Sequence, residues 1–208
     1  LANTRQKMAE LNLRVFLTHS PENIYYLTGY QTPGYYKYQT LIIPERGEPI
    51  LLIRLDEESN GLAAPRVQAL ITYRDTQDPV RMTCETIADA GWTQGPIGVE
   101  EDCWFLPVSQ YKRLSDLLDI NVELVDASGL VESLRVVKSP AEIDYIRQAA
   151  TVANGGMRAG IETIAMGRTE NDIASAIHTA IIAAGGEYMS LPIFISSGPR
   201  SYLTHATW

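Results

Sequence analysis

The 208-residue sequence contains only two cysteines, Cys84 and Cys103, together with three histidines and three tryptophans. Two cysteines are too few for a disulfide framework or a zinc site, so we expect a reducing, cytoplasmic environment. Positive charge is also scarce, because 17 Lys and Arg residues stand against 25 Asp and Glu residues, a net charge of −8. This balance argues against a nucleic-acid or anionic-membrane partner. No apolar run approaches the roughly 20 residues that a membrane-spanning helix needs.

Common catalytic and ligand-binding motifs are missing as well. The sequence has no HExxH pattern, no paired Cys or His spacing, and no glycine-rich phosphate loop after a strand. The consecutive carboxylates Asp56, Glu57 and Glu58 diverge by about 100° per residue on a helix, so they do not converge on one ion. The residues alone therefore indicate no metal site.

Short apolar runs alternate with helical segments over the first 130 residues. Strands are predicted at 14–18, 38–44, 49–54, 68–73, 96–100 and 121–127, and helices at 2–12, 21–28, 56–64, 79–90 and 107–118. The pair of strands within 38–54 indicates a hairpin, which excludes a purely parallel sheet. We therefore predict an α/β fold with a mixed sheet flanked by helices.

The pattern changes near residue 130, where helices follow one another. The motif "SPAE" at 139–142 predicts a capping box, and Thr169 with Asp172 predicts a second helix start. We expect Gly155–Gly156 to bend or interrupt the first of these helices, and 191–197 to form a strand. The first helix carries a long apolar stripe at spacings of three and four: Ile143, Ile146, Ala150, Ala153, Met157, Ile161 and Ile164. The segment has too few further elements to cover such a face.

The stretch "GYQTPGYYKYQT" at 29–40 contains four tyrosines and a single cation, Lys37. Aromatic side chains beside a cation suit a small polar ligand that carries a carboxylate. They also suit a protein interface, where tyrosine is enriched. A third interpretation is a hairpin approach with packed tyrosines, and the pattern leaves the three open.

Each of the three histidines follows or lies on a different element. His19 follows the first predicted strand and His178 lies on a helix, and we interpret both as ordinary structural residues. His205 follows a strand and a Gly-Pro loop, near Arg200. A histidine in that position suits a general base or acid near neutral pH, and an ordinary loop histidine is the alternative.

Several blocks resemble the creatinase/Xaa-Pro peptidase family, which has the pita-bread fold and includes aminopeptidase P. They are "NIYYLTGY", "VESLRVVKSPAEIDYIRQAATVANGGM", "GRTENDIASAI" and "PIFISSGPRSYLTHA", and the ectoine-hydrolase-like branch looks most similar. The resemblance implies a creatinase-type N-terminal domain over 1–130. From 131 to 208 it implies the first part of an incomplete α+β pita-bread catalytic domain.

The resemblance also implies a reaction and site residues. The family hydrolyses a C–N bond, in an ectoine-like or creatine-like amino-acid derivative or in an Xaa-Pro peptide. His205 corresponds to the active-site histidine that transfers a proton or stabilises the intermediate. Tyr35, Lys37 and Arg200 are the implied substrate-binding residues, and the family is usually a homodimer.

Metal dependence stays open at this point. The resemblance implies either a divalent ion (Mn, Co or Zn) in the full-length parent, or a metal-independent reaction as in creatinase. The family's metal-binding Asp, Asp, His, Glu and Glu would lie beyond His205. We therefore expect these 208 residues to be inactive alone. The alternative is a non-catalytic dimerisation or ligand-binding module.

Overall fold

The computed structural model describes residues 1–118 and 122–208. They form two compact units, Leu1–Val136 and Val137–Trp208. The helices of the first unit are α1 (Ala2–Glu10), α2 (Pro21–Thr28), α3 (Glu58–Ala63), α4 (Pro79–Asp89), α5 (Val108–Leu117) and α6 (Leu130–Arg135). Its strands are β1 (Val15–Thr18), β2 (Thr40–Pro44), β3 (Ile50–Arg54), β4 (Ala69–Tyr73), β5 (Ile97–Val99) and β6 (Leu124–Asp126). The predicted start of the last strand, residue 121, lies outside the described residues.

The six strands form one mixed sheet in the order β4-β3-β2-β1-β5-β6. The predicted hairpin is present, since β2 and β3 pair antiparallel with Thr40 opposite Leu52. Strand β1 runs antiparallel to β2 and parallel to β5, and β6 continues parallel beside β5. The carboxyl ends of β1, β5 and β6 therefore meet at one edge of the sheet. The prediction of an α/β fold with a mixed sheet is confirmed.

Both faces of this sheet are covered by helices, which explains why its strands are continuous apolar runs. Alternate side chains point to opposite faces. Phe16 and Ile43 pack on one face with residues of α1, α2 and α6. Leu17 and Ile42 pack on the other face with residues of α4 and α5. The central strands are thereby buried on both sides, and they hold the loops at their ends in place.

Local signals set the start and end of α2. Ser20 caps the helix by accepting a hydrogen bond from the Asn23 backbone N–H, and Pro21 occupies its first turn. Gly29 ends it with a φ of 78°, in the left-handed region that glycine tolerates. A Cβ at Gly29 would also lie 2.9 Å from Pro65 Cδ, so another residue there meets both strain and contact.

The second unit contains two capped helices, α7 (Pro140–Thr163) and α8 (Glu170–Ala183). Both predicted capping boxes are present, Ser139 with Glu142 and Thr169 with Asp172. Much of the apolar stripe predicted on α7 stays exposed, as at Met157 and Ile161. Across residues 1–118 and 122–208, no helix combines the length and the apolar character required to span a membrane.

Helix α8 packs instead against a glycine face of α7. A Cβ on Gly156 would lie 2.7 Å from Ile181 Cγ1, and one on Gly160 would lie 2.7 Å from Ile177 Cγ1. The predicted interruption at Gly155–Gly156 is wrong, because α7 runs unbroken through both residues. Gly156 and Gly160, four residues apart, let the two helices approach closely, and this gain in packing outweighs the weak helix propensity of glycine.

The strand predicted at 191–197 is also absent. The backbone hydrogen bond that joins this segment to another part of the described chain runs from the Ile195 N–H to the Ala206 carbonyl at 3.2 Å. A β-strand is defined by a ladder of such bonds with a neighbour. The apolar sequence of 191–197 indicates strand propensity, but the described residues supply no second strand in this unit to pair with it.

Candidate functional site

Two of the four tyrosines in the tyrosine loop (residues 29–40) belong to the core. Tyr30 and Tyr38 are almost fully buried. The Tyr38 hydroxyl lies 2.9 Å from Thr83 Oγ1. The backbone carbonyl of Tyr38 accepts a hydrogen bond from the Tyr73 hydroxyl at 2.8 Å. For these two residues the interpretation as packed tyrosines holds.

The other two tyrosines and the cation lie on the surface of a tight turn, closed by a hydrogen bond from the Lys37 N–H to the Gly34 carbonyl at 3.0 Å. Tyr35 is 38% exposed and packs edge-to-face on Phe105, with ring centroids 5.5 Å apart. Tyr36 is 74% exposed, and Lys37 Nζ lies 5.9 Å from the centre of its ring. Tyr36 and Lys37 are therefore accessible to a ligand or a partner.

A small cavity of about 20 Å³ lies under this turn. Gln39 and Tyr30 line it, and the Gln39 Nε2 atom has no hydrogen-bond partner among the described residues. This amide is a donor that an acceptor oxygen would satisfy. Glu57 also lines the cavity. Burial is the largest cause of the raised pKa of Tyr30, and the nearby Glu57 carboxylate raises it further.

A buried cluster below the tyrosine loop contains His19, which the sequence indicates to be a structural residue. His19 is fully buried, and its Nε2 lies 3.5 Å from the Tyr38 hydroxyl. Its Nδ1 has no hydrogen-bond partner within the described chain. Burial lowers the pKa of His19 to about 3, because the charged imidazolium is poorly solvated there. His19 is thus a neutral core residue at neutral pH.

Glu100, which no motif in the sequence marks, organises the carboxyl ends of β1 and β5. Its carboxylate accepts hydrogen bonds from Thr18 Oγ1 at 2.8 Å, from the His19 and Ser20 backbone N–H groups at 2.9 and 3.1 Å, and from Asn23 Nδ2 at 2.7 Å. Burial raises the pKa of Glu100, although each of these bonds opposes the rise. The residue ties the loop between β1 and α2 to the adjacent parallel strand.

A larger cavity of about 170 Å³ opens beside Glu100. Its lining includes three carboxylates and a nearly fully exposed indole: Glu100, Asp102, Glu132 and Trp104. A surplus of carboxylates disfavours an anionic ligand. This cavity is therefore unsuited to the carboxylate-bearing ligand that the tyrosine loop suggests.

In the second unit, Arg200 is held by two contacts. Its Nη1 lies 2.6 Å from Glu170 Oε2, and its Nη2 donates to the Thr207 carbonyl at 2.6 Å. The same Glu170 carboxylate accepts hydrogen bonds from the Ser197 N–H at 2.7 Å and from the Ser197 hydroxyl at 2.9 Å. These donors lower the pKa of Glu170, the Ser197 hydroxyl contributing most.

His205 is exposed on the loop that Arg200 helps to hold. Its backbone has a φ of 55°, which non-glycine residues rarely adopt. Its ring lies against Phe194, with ring centroids 5.1 Å apart. An exposed imidazole on a conformationally restrained loop is free to meet a ligand and to exchange a proton. The predicted strand before His205 is absent, so the loop at 198–205 follows an irregular segment, and the role of His205 stays a prediction.

A metal site is not formed by the described residues. Residues 1–118 and 122–208 contain no group of three His, Cys, Asp or Glu side chains that could hold an ion. Cys84 and Cys103 are both free thiols, and burial raises the pKa of each to about 11. The side chains present here therefore do not fit a divalent metal.

Comparison with known proteins identifies the family. Residues 1–137 match the model of the Creatinase/Prolidase N-terminal domain. The chain belongs to the creatinase/prolidase family. Residues 144–208 match the Metallopeptidase family M24. The family resemblance seen in the sequence motifs is thereby confirmed.

Two curated relatives match all or most of this chain. The ectoine hydrolase of Halomonas elongata is 27% identical over 226 residues, which cover 100% of this chain and 56% of the relative. An uncharacterised hydrolase/peptidase of Sinorhizobium fredii is 27% identical over 92% of this chain and 51% of its own length. The chain spans about half the length of the curated relatives it matches.

Solved structures share the fold. A prolidase from Thermococcus sibiricus superposes with a TM-score of 0.73 at 20% identity, over 88% of this chain and 48% of its own. The Xaa-Pro dipeptidase of Bacillus anthracis gives a TM-score of 0.72 at 17% identity with the same coverage. The N-terminal domain of the Mycobacterium tuberculosis peptidase PepQ gives 0.53 at 24% identity and is itself 95% covered. The creatinase-type N-terminal domain followed by part of a pita-bread domain is thus confirmed.

Proposed function

We propose that this chain is part of a hydrolase that cleaves a C–N bond in a small amino-acid derivative, ectoine-like or creatine-like, or in an Xaa-Pro peptide. The observation that carries the proposal is the match to an ectoine hydrolase along the whole chain, together with the M24 match over the segment that contains His205. In the proposed arrangement, 1–130 is the N-terminal domain and 131–208 is the first part of the catalytic domain.

His205 is the proposed catalytic residue. Water attacks the carbonyl or amidine carbon, and the imidazole accepts a proton from the water or stabilises the intermediate. Its exposure and its lack of a competing carboxylate partner in the described chain support this role. A neutral imidazole is the form that accepts a proton.

Substrate binding is assigned to Tyr35, Lys37 and Arg200. Lys37 supplies a charge and Tyr35 an aromatic edge, and the unpartnered Gln39 amide under the turn supplies a donor for a carboxylate oxygen. Arg200 has N–H donors beyond the two that bind Glu170 and Thr207, and these are the ones that would reach a substrate.

Metal use, assembly and location are further parts of the proposal. The family that residues 144–208 match is named for metallopeptidases. An ion in the parent (Mn, Co or Zn) would need ligands beyond the described residues, whereas a creatinase-like reaction would need no ion. In a homodimer, the tyrosine loop of one protomer would lie against the partner protomer. The two free cysteines are in keeping with a cytoplasmic protein.

The test is a substrate panel applied to the full-length protein made from its natural gene. Ectoine-type, creatine-type and Xaa-Pro substrates are compared with and without a chelator, by detecting the released amine or carboxylate. We expect turnover in one of the three classes. Absence of turnover in all three, with and without added Mn, Co or Zn, would contradict the proposal.

A non-catalytic dimerisation or ligand-binding module is the second candidate, favoured by the exposed pair Tyr36 and Lys37. It predicts that a Tyr35→Ala, Lys37→Ala double variant dimerises or binds ligand more weakly, measured by analytical ultracentrifugation and calorimetry. Unchanged assembly and binding in this variant would count against the module.

A further inference from the structure

Glu170 makes contacts that exceed the needs of a helix start. It is the first residue of α8, and Thr169 and Asp172 already form the capping box of that helix. Its side chain is nevertheless only 14% exposed, and both of its oxygens are occupied by the loop at 197–207. The Glu170 carboxylate is therefore not required for capping, and it bonds instead to a segment that is distant in sequence.

The contacts of Glu170 reach both flanks of His205. On the near side, Oε1 accepts hydrogen bonds from the backbone N–H and the hydroxyl of Ser197. On the far side, Oε2 pairs with Arg200, whose second guanidinium nitrogen donates to the carbonyl of Thr207 at 2.6 Å. One carboxylate thus links, directly and through one arginine, the residues that precede and follow the histidine.

The histidine itself shows why such a restraint is required. Its φ of 55° is unfavourable for a residue with a Cβ, so the conformation persists only where the neighbouring backbone is held. Backbone hydrogen bonds also hold this loop, among them the bond from the Ile195 N–H to the Ala206 carbonyl at 3.2 Å, and the His205 ring lies against Phe194. Charge-assisted hydrogen bonds to a carboxylate are stronger than this neutral bond.

We infer that Glu170 is a positioning residue for His205, acting through Ser197 and Arg200 on the loop that carries the imidazole. Glu170 does not touch substrate in this account. The inference rests on the proposed function only for its effect on catalysis, since the effect on the conformation of the loop follows from the contacts alone.

Two substitutions separate this role from helix capping. Glu170→Gln retains an acceptor for Ser197 but turns an N–H group toward the donors of Arg200, which breaks the arginine arm. Asp172→Asn makes the same carboxylate-to-amide change two residues further along α8, at a side chain that bonds only to Thr169 in the described contacts. Both variants weaken the start of the helix, but only the first disturbs the loop.

The primary readout is the imidazole ¹⁵N and ¹³C resonances of His205 in the full-length protein, assigned by their loss in His205→Gln. We expect Glu170→Gln to shift these resonances and Asp172→Asn to leave them in place. Arg200→Met should shift them in the same direction. The double variant Glu170→Gln, Arg200→Met should shift them no further than Arg200→Met alone, because both substitutions break the same contact between Glu170 and Arg200.

Turnover is the second readout. We expect Glu170→Gln to lower kcat by about 10- to 100-fold with a smaller change in KM, the size expected for a displaced catalytic group, while Asp172→Asn stays near wild type. Unshifted His205 resonances in Glu170→Gln, or equal shifts in both variants, would overturn the inference. If His205→Ala retains full turnover, the proposed function fails, yet the resonances still decide whether Glu170 positions the ring.

Discussion

Lowering the pH from about 7 to about 4.5 should destabilise the first unit through His19, by an amount that follows from its burial. The unfolded chain gains a proton on this histidine as the pH falls below 6.5, whereas in the native state burial lowers the pKa to about 3. Between these two values the unfolded state binds more protons, so stability decreases as the pH falls.

The size of the effect follows from the shift. Each pH unit within this window costs about 1.4 kcal/mol, which gives roughly 2–3 kcal/mol at about pH 4.5 and nearly 5 kcal/mol if the whole window is crossed. Glu100 acts in the opposite direction, because its raised pKa makes the native state bind its proton more readily than the unfolded chain does. The contribution of His19 is therefore best isolated as a difference between two proteins.

The assay is urea unfolding of the wild type and of His19→Gln at several pH values, followed by circular dichroism and tryptophan fluorescence. We expect the free energy of unfolding of the wild type to fall by about 2–3 kcal/mol more than that of the variant between about pH 7 and pH 4.5. His178→Gln, in the second unit, is the matched control and should keep the wild-type slope. Parallel pH profiles for wild type and His19→Gln would refute the reasoning.

Three further predictions concern packing and polar contacts. Gly156→Val should destabilise the second unit by about 1–3 kcal/mol in thermal or urea unfolding, because the new Cβ would lie 2.7 Å from Ile181 Cγ1. Gly155→Ala is the control and should be neutral or stabilising, because no atom lies within 4 Å of the Cβ that it adds. Asn23→Ala should cost about 1–3 kcal/mol in urea unfolding, because the buried Asn23 amide donates to Glu100 and to Glu132 at 2.7 Å each and both bonds would be lost. An unchanged midpoint would contradict this. Ser139→Ala should lower the free energy of unfolding of the second unit by about 1 kcal/mol, seen as a modest fall in its melting temperature. No change would indicate that the capping box is dispensable.

Local signals made much of the first unit predictable. The strands were visible as short apolar runs because both faces of the sheet are covered, and the start of α2 was visible because Ser20 and Pro21 act on their own helix. The mixed character of the sheet followed from one hairpin, between β2 and β3. These features depend on neighbours in sequence, which is why a single sequence sufficed.

Features that depend on distant neighbours were missed. Glu100 and His19 each follow a strand, but their proximity arises only from the pairing of β1 with β5. The sequence already marks His19 as following a strand, and the position of Glu100 directly after another predicted strand is the signal that identifies it. The predicted interruption of α7 at Gly156 was wrong for the same reason, because the isoleucine that packs against this glycine lies on another helix.

Within the tyrosine loop, residue type alone did not separate packing from exposure. Tyr38 is buried by its contact with Thr83, and Tyr36 is exposed two residues earlier. The apolar stripe on α7 shows the opposite case. Its spacing predicted one face correctly, but α8 packs on the glycine face instead, where the helices come closer.

The most direct test of the central claim is the turnover of the full-length protein compared with its His205→Ala variant, on whichever of the three substrate classes the wild type hydrolyses. The account predicts a loss in kcat of about 100-fold or more, the usual scale of a general acid–base contribution, with His178→Gln near wild type. Equal turnover by wild type and His205→Ala would contradict the claim that His205 transfers the proton.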